Sequence, residues 1–264
     1  MGEVVTRTTE DGVAVLTLNR PDRLNAWTHE MKRVYFDLLE ACSADPDVRV
    51  IVLTGAGRGF CAGADMDQLS SVADGGLEAS AAEAAQDPRP QTFPLGIPKP
   101  IVAAINGPCA GLGLVHALMC DLRFAAAGAK MTTAFSRRGL VAEHGISWLL
   151  PRLVGPSRAL DLLLSGRIVL AEEALEMGLV NRVVEPDRLL DETIAYARDL
   201  AVNCSPASMA TMKAQVFGDL ARGLDDALER ANELMVASFG EKDFAEGVAS
   251  FVERRDPRFA PLTR

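Results

Sequence analysis

Apolar residues fall into short blocks along the chain, and the spacing within the blocks changes from strand-like to helical and back. Val4 to Thr8 and Val13 to Leu18 are β-prone runs on either side of Glu10-Asp11-Gly12. Asp-Gly between such runs predicts a hairpin. Asn19-Arg20-Pro21 stops the second strand. Thr28 then reads as an N-cap, with Glu30 in the first helical turn. Met31, Val34, Tyr35, Leu38, Leu39 and Cys42 recur at helical spacing and predict one apolar stripe. Asp45-Pro46-Asp47 ends that helix, and the run from Val48 to Leu53 reads as a buried strand.

The strand runs into Gly55 to Met66, Gly-Ala-Gly-Arg-Gly-Phe-Cys-Ala-Gly-Ala-Asp-Met. Glycine lets a backbone bend sharply, take positive φ or approach a ligand closely. A strand ending in such a turn can aim free N–H groups into a pocket, and two of them can stabilise charge on a carbonyl oxygen. A phosphate-binding loop needs lysine after its last glycine, where Phe60 and Cys61 stand here. Gly55, Gly57 and Gly59 also miss the dinucleotide-binding spacing. The plainer alternative, a flexible surface turn, sits poorly with the apolar Phe60-Cys61-Ala62 that follows.

From Gln68 to Pro98 the core pattern fades. Ala79 to Ala85 predicts a helix within a segment that is either a lid or a surface insertion. Ile101 to Ile105 is again a buried strand, ending at Asn106-Gly107-Pro108-Cys109-Ala110-Gly111-Leu112-Gly113 before an apolar helix from Leu114 to Met119. Cys120 to Phe124 and Met131 to Thr133 predict strands, and a helix begins around Trp148. Ser157 reads as the cap of the next helix, with Leu160, Leu163 and Leu164 facing inward. Glu172 to Met177 predicts a helix and Leu179 to Val184 a strand. Beyond Asp187 only helices are expected, over about 187–203, 206–217, 220–238 and 243–255. The fold class is α/β with an all-helical C-terminal part, divided as 1–195 and 196–264.

The chain has 264 residues, 48% apolar, enough for one large domain or two small ones. A net charge of −9 argues against nucleic acid as a main partner. Cys42, Cys61, Cys109, Cys120 and Cys204 are odd in number with apolar flanks. They read as reduced core thiols of a cytoplasmic protein. No metal is expected, because His29, His116 and His144 are spread apart. No apolar run of membrane-spanning length is present, and the first ten residues lack the apolar stretch of a signal peptide.

The two strand–glycine turn–helix units suggest two N–H donors on one carbonyl oxygen, those of Ala64 and Leu112. Proton transfer then needs a side chain. Glu143 lies in a glycine-flanked loop among apolar residues, and a desolvated carboxyl suits acid–base work near neutral pH. His144 is its rival, and either residue could instead be plain loop surface. Gly107-Pro108-Cys109-Ala110-Gly111 also matches the frame of a nucleophile elbow.

The sequence resembles the crotonase family of enoyl-CoA hydratases and isomerases. The matching pieces run in order through nearly the whole chain: Asn19-Arg20-Pro21 with Leu24-Asn25-Ala26, Gly59 to Met66, Ile105 to Pro108 with Gly111 to Leu114, Cys120 to Arg123, Trp148 to Gly155, and Glu246-Gly247 with Phe251 to Arg255. The resemblance implies a spiral of repeated ββα units, a C-terminal helical region that builds trimers or hexamers, and an acyl-CoA substrate that brings its own coenzyme A, with no further cofactor. It implies that the Ala64 and Leu112 amides hold the thioester oxygen. It places Arg23, Leu24, Ala26, Ala62, Asp65 and Met66 along the CoA moiety, and adds Gly63, Gly111, Val115 and Trp148 to the substrate- or CoA-binding residues.

The departures are as informative. A standard hydratase of the family carries two glutamates that activate water. Val115 stands at the first of these places, and Phe135 to Arg137, around the second, hold no carboxylate. Glu143 instead matches the single acidic residue of some family isomerases, in Gly-Leu-x-x-Glu-x-Gly. An enoyl-CoA isomerase is therefore expected ahead of a hydratase. A non-catalytic acyl-CoA binder and a thioester hydrolase using Cys109 are the alternatives.

Overall fold

The computed structural model describes residues 2–262. β1 (Val5–Glu10) and β2 (Val13–Leu18) pair antiparallel. Asp11 (φ 50) and Gly12 (φ 79) are both left-handed, as the tight hairpin requires. The Thr28 hydroxyl caps α1 (His29–Ala44) by accepting the Met31 N–H at 3.1 Å. The helix buries the expected Met31, Tyr35, Leu39 and Cys42, together with Lys32 and Phe36. β3 (Val50–Gly55) follows. α2 (Met66–Ser71) and α3 (Leu77–Ala84) then form an exposed pair, kinked at Gly75 (φ 98) in the widened turn Val72–Gly76.

β4 (Ile101–Ile105), β5 (Cys109–Ala110) and α4 (Leu112–Leu118) repeat the strand–turn–helix theme. β6 (Leu122–Ala126), β7 (Lys130–Thr132), α5 (Ile146–Val154), α6 (Pro156–Ser165), β8 (Val169–Leu170), α7 (Ala171–Glu176) and β9 (Arg182–Val184) complete the α/β part. The chain ends in α8 (Leu189–Asn203), α9 (Pro206–Asp219), α10 (Leu224–Ser238) and α11 (Lys242–Glu253).

The main sheet has the order β1-β2-β3-β4-β6-β9 and is parallel beyond the first hairpin. β3 and β4 are buried at every residue. Their unbroken apolar runs are what a parallel strand covered on both faces needs. A smaller sheet, β5-β7-β8, holds the second glycine turn. α8 lies across the main sheet with Leu189, Thr193, Ala197 and Ala201 buried at four-residue spacing. The division expected after residue 195 falls inside this helix. In α9, α10 and α11 only Pro206, Ala210 and Ser250 are buried. Leu224 and Phe251 are more than four-fifths exposed in the single chain.

Several expectations are corrected. Ser157 is not a cap: Gly155 (φ 82) takes that position and Pro156 starts α6, where its fixed φ and missing N–H cost nothing. Leu160 and Leu164 face outward at 54% and 72% exposure, while Ala159 and Leu162 are buried. Packing against α5 rotates α6 so that the smaller alanine is inside. The strand expected from Leu179 shortens to Arg182–Val184, because the Leu179 and Val180 N–H groups both bond to the Ala174 carbonyl at the end of α7. The helix expected from 220 begins at Leu224, after Gly223.

Candidate active site

The turn after β3 is held by two asparagines. Asn25, fully buried, donates through Nδ2 to the Ala56 and Gly59 carbonyls (3.0 and 2.8 Å) and accepts the Arg20 N–H at 2.8 Å. Asn106 donates to the Gly55 and Gly57 carbonyls at 2.9 and 3.0 Å. A Cβ on Gly55 would stand 2.3 Å from the Gly59 carbonyl oxygen, so the turn closes only without one.

The two glycine turns lie side by side. The backbones of Cys61 and Cys109 form an isolated parallel β-bridge, and the Ala110 N–H donates to the Cys61 carbonyl at 3.0 Å. Trp27 bridges Ala64 from the other side: its N–H donates to the Gly63 carbonyl at 2.7 Å, and its carbonyl accepts the Asp65 N–H at 2.9 Å. Those bonds turn the Ala64 N–H away from Trp27, and it donates to no protein acceptor among the described residues. Leu112 opens α4 after Gly111 (φ 49). Its N–H is one of the helix-start donors that the helix itself cannot satisfy. Gly63 and Gly111, which precede these donors, are neighbours in space: a Cβ on Gly111 would lie 3.9 Å from the Gly63 Cα.

Several of the residues expected along the CoA moiety are tied to their neighbours by direct bonds. Arg23 pairs with Asp67 at 3.1 Å, the Ala62 N–H donates to the Leu24 carbonyl at 3.0 Å, and Arg20 reaches the Ala26 carbonyl at 2.5 Å. Arg20 also pairs with buried Asp65 at 2.9 Å. Burial pushes the Asp65 carboxyl up, but the bonds from Arg20 and the Asp67 N–H, with the charges of Arg20 and Arg23, outweigh it and hold the group below its usual range. Met66 is 56% exposed at the head of α2.

Val115 is fully buried on α4. Glu143 and His144 precede α5, which packs on α4. The Glu143 side chain keeps 32% of its surface open, so its desolvation is only partial. Its carboxylate lies 3.7 Å from the His144 Nε2. Burial lowers the His144 imidazole below its usual value, with Glu143 pulling the other way. Trp148 is 38% exposed and stacks on the Arg152 guanidinium at 4.1 Å.

Cys109 does not fit a nucleophile. It has no exposed surface, and burial pushes its thiol well above the usual value. A protonated thiol is the weak form. Among the described residues no cluster of metal-binding side chains occurs, and no helix is long and apolar enough to cross a membrane.

A buried aromatic group behind the turns was not anticipated as a group. Trp27 stacks on His116, with centroids 3.8 Å apart, and Tyr35 and Phe36 surround the imidazole. Burial pushes His116 down to about 3, with the His144 and Lys32 charges adding to it. Tyr35 belonged to the apolar stripe expected of the first helix, and nothing local in the sequence linked Trp27, Phe36 or His116 to it.

The chain matches the Enoyl-CoA hydratase/isomerase family over residues 8–261. It is 35% identical over 260 residues to the 1,2-epoxyphenylacetyl-CoA isomerase of Escherichia coli, covering 98% of this chain and 99% of that one. It is 37% identical to the (E)-benzylidenesuccinyl-CoA hydratase of Thauera aromatica, covering 97% and 98%. Among solved structures, a probable enoyl-CoA hydratase/isomerase from Mycobacterium abscessus superposes with a TM-score of 0.87 at 32% identity, over 98% of this chain and 99% of that one. The chain thus belongs to the enoyl-CoA hydratase/isomerase, or crotonase, family.

Proposed function

We propose that this family member is an enoyl-CoA isomerase acting on a fatty acyl-CoA thioester, with the Ala64 and Leu112 N–H groups as oxyanion donors and Glu143 as the acid–base group. The observation that carries the reading is the pair of main-chain donors, at two adjacent glycine turns, that find no protein acceptor among the described residues. Donors of this kind stabilise charge that develops on a carbonyl oxygen, and one is worth about 100- to 1,000-fold in rate. With the thioester oxygen so held, the C2 proton of a 3-enoyl chain is acidic. The Glu143 carboxylate takes that proton and returns it to C4, and the double bond moves from C3–C4 to C2–C3. Buried Val115, where a hydratase glutamate would stand, offers no base for water.

Hydration is the second reading, favoured by relatives named as hydratases, such as that of Thauera aromatica. A paired assay separates the two. A 3-enoyl-CoA gains the conjugated absorbance on isomerisation, and a trans-2-enoyl-CoA loses it on hydration. We expect gain with the first substrate, falling at least about 100-fold in Glu143→Gln. Loss with the second, abolished in the same variant, would assign hydration to Glu143. Turnover unchanged in Glu143→Gln would remove the residue from the site.

In the same reading, Arg23, Leu24, Ala26, Ala62, Asp65 and Met66 receive the CoA moiety, and no cofactor beyond the substrate's own coenzyme A takes part. The unpartnered apolar faces of α9, α10 and α11 fit a helical oligomerisation region and a trimer or hexamer. The unpaired cysteines fit a reducing cytoplasm.

A further inference from the structure

The Trp27 and His116 rings lie face to face, 3.8 Å between centroids and 24° between planes. Each ring belongs to one half of the candidate oxyanion site. Trp27 is hydrogen-bonded on both sides of Ala64, to the Gly63 carbonyl and the Asp65 N–H. His116 lies four residues after Leu112 on α4, one turn along the same side of the helix.

The start of α4 is already held where Gly113 meets the Cys61 main chain: a Cβ there would stand 2.2 Å from the Cys61 oxygen. The helix also packs on β5 and α5, with Gly113 to Leu118 all buried. The stack adds a contact a turn beyond Gly113, and through Trp27 it links α4 to the segment that carries Ala64.

Packing alone does not account for an imidazole at this place. His116 has no exposed surface, and among the described residues neither ring nitrogen has a hydrogen-bond partner; nor do Trp27 Nε1 and Tyr35 OH. A buried polar ring without partners is less favourable there than an apolar one. What the ring supplies is a flat face. Tyr35 meets it edge-on at 87°, which fixes its plane against Trp27.

We propose that the Trp27–His116 stack sets the separation and direction of the Ala64 and Leu112 N–H donors, and so the polarisation of a thioester carbonyl bound between them. The proposal rests on the oxyanion reading above. Both side chains are positioning residues, since neither has surface to offer a substrate. A misplacement of donors by about 1 Å costs on the order of 100-fold in rate.

The test is isotope-edited infrared spectroscopy of butyryl-CoA carrying a labelled thioester carbonyl, a saturated probe that cannot isomerise. Bound to the wild type, its C=O band should move to lower wavenumber than in water. In His116→Leu, which keeps volume but loses the flat ring, the displacement should shrink. The kcat on a 3-enoyl-CoA should fall about 10- to 100-fold with KM within about threefold. His116→Phe restores a flat ring and should recover both the band position and kcat. His116→Met is the ring-free replacement to use if the leucine variant does not fold, and is read in the same way. A full displacement and unchanged kcat in the ring-free variant would overturn the proposal, as would a phenylalanine variant that folds yet behaves like leucine. A wild type that binds the probe without displacing its band would refute the oxyanion reading itself, and the proposal with it.

Discussion

Gly63 and Gly111 face each other across the site, and at Gly63 a side chain would crowd the neighbouring turn. A Cβ on Gly63 would meet the Ala110 carbonyl oxygen at 3.0 Å and the Gly111 Cα at 3.8 Å, and the residue sits at φ +102. The two free N–H donors begin one residue after these glycines, so their separation depends on how closely the two turns approach. Gly63→Ala should therefore lower kcat on a 3-enoyl-CoA at least tenfold and cost about 1–3 kcal/mol of stability. Steady-state kinetics and thermal melts check both. An alanine variant with wild-type kcat would mean that the donors tolerate wider spacing than the mechanism allows.

Asn25 satisfies two carbonyls of the first glycine turn and the Arg20 N–H from a fully buried position. It also takes a left-handed backbone (φ 55), which asparagine tolerates better than alanine. Removing its side chain strands those partners at about 1–3 kcal/mol each. Asn25→Ala should lower the unfolding free energy by about 3 kcal/mol or more, read from the urea midpoint. Asn25→Asp should be no better, because it sets a carboxylate against the Ala56 and Gly59 carbonyl oxygens.

His116 makes stability depend on pH. Its pKa is about 3 in the folded chain, lowered by burial from a usual value of 6.5. Between those values the unfolded chain binds a proton that the native one refuses. The contribution is complete above pH 6.5 and is lost as pH falls toward 3, at up to about 1.4 kcal/mol per pH unit. His116→Phe should flatten the decline of unfolding free energy between pH 6 and 5 relative to wild type. Parallel declines in the two proteins would place the titration elsewhere.

Cys109 should be dispensable for chemistry. Cys42, Cys61, Cys109 and Cys120 are buried, and burial pushes each thiol up, Cys61 and Cys120 to about 12. Only Cys204 is partly open. Cys109→Ala should keep kcat within about twofold while losing about 1 kcal/mol of stability. An Ellman titration of the native protein should find at most one fast thiol. Turnover abolished in a folded Cys109→Ala would restore the hydrolase reading.

Much of the architecture was legible because it is written locally. Asp11-Gly12 can take the left-handed conformations of a tight hairpin, Thr28 can cap a helix, and a run such as Ile101 to Ile105 has no polar face to show to water. The glycines of the two turns pointed to backbone donors for a similar reason, since no other residue takes those conformations so readily. Ala64 and Leu112 could be named as candidates from the chain, and the carboxylate absent at Val115 from the resemblance to the family.

Tertiary structure decided what depends on who the neighbour is. The rotation of α6 put Ala159 rather than Leu160 inside, because the space beside α5, and not the hydropathy of the row, selects the face. The thiol at Cys109 was given its protonated, enclosed state by burial, although its flanking glycines had matched a nucleophile's frame. Trp27 and His116 carry no signal for each other, being far apart in sequence and each at an ordinary core position. They meet because β-bridging at Ala64 and the start of α4 at Leu112 bring their backbones together. Turn chemistry and periodicity act over a few residues, so the chain states them by itself. The approach of two such elements is settled only when the core closes around both.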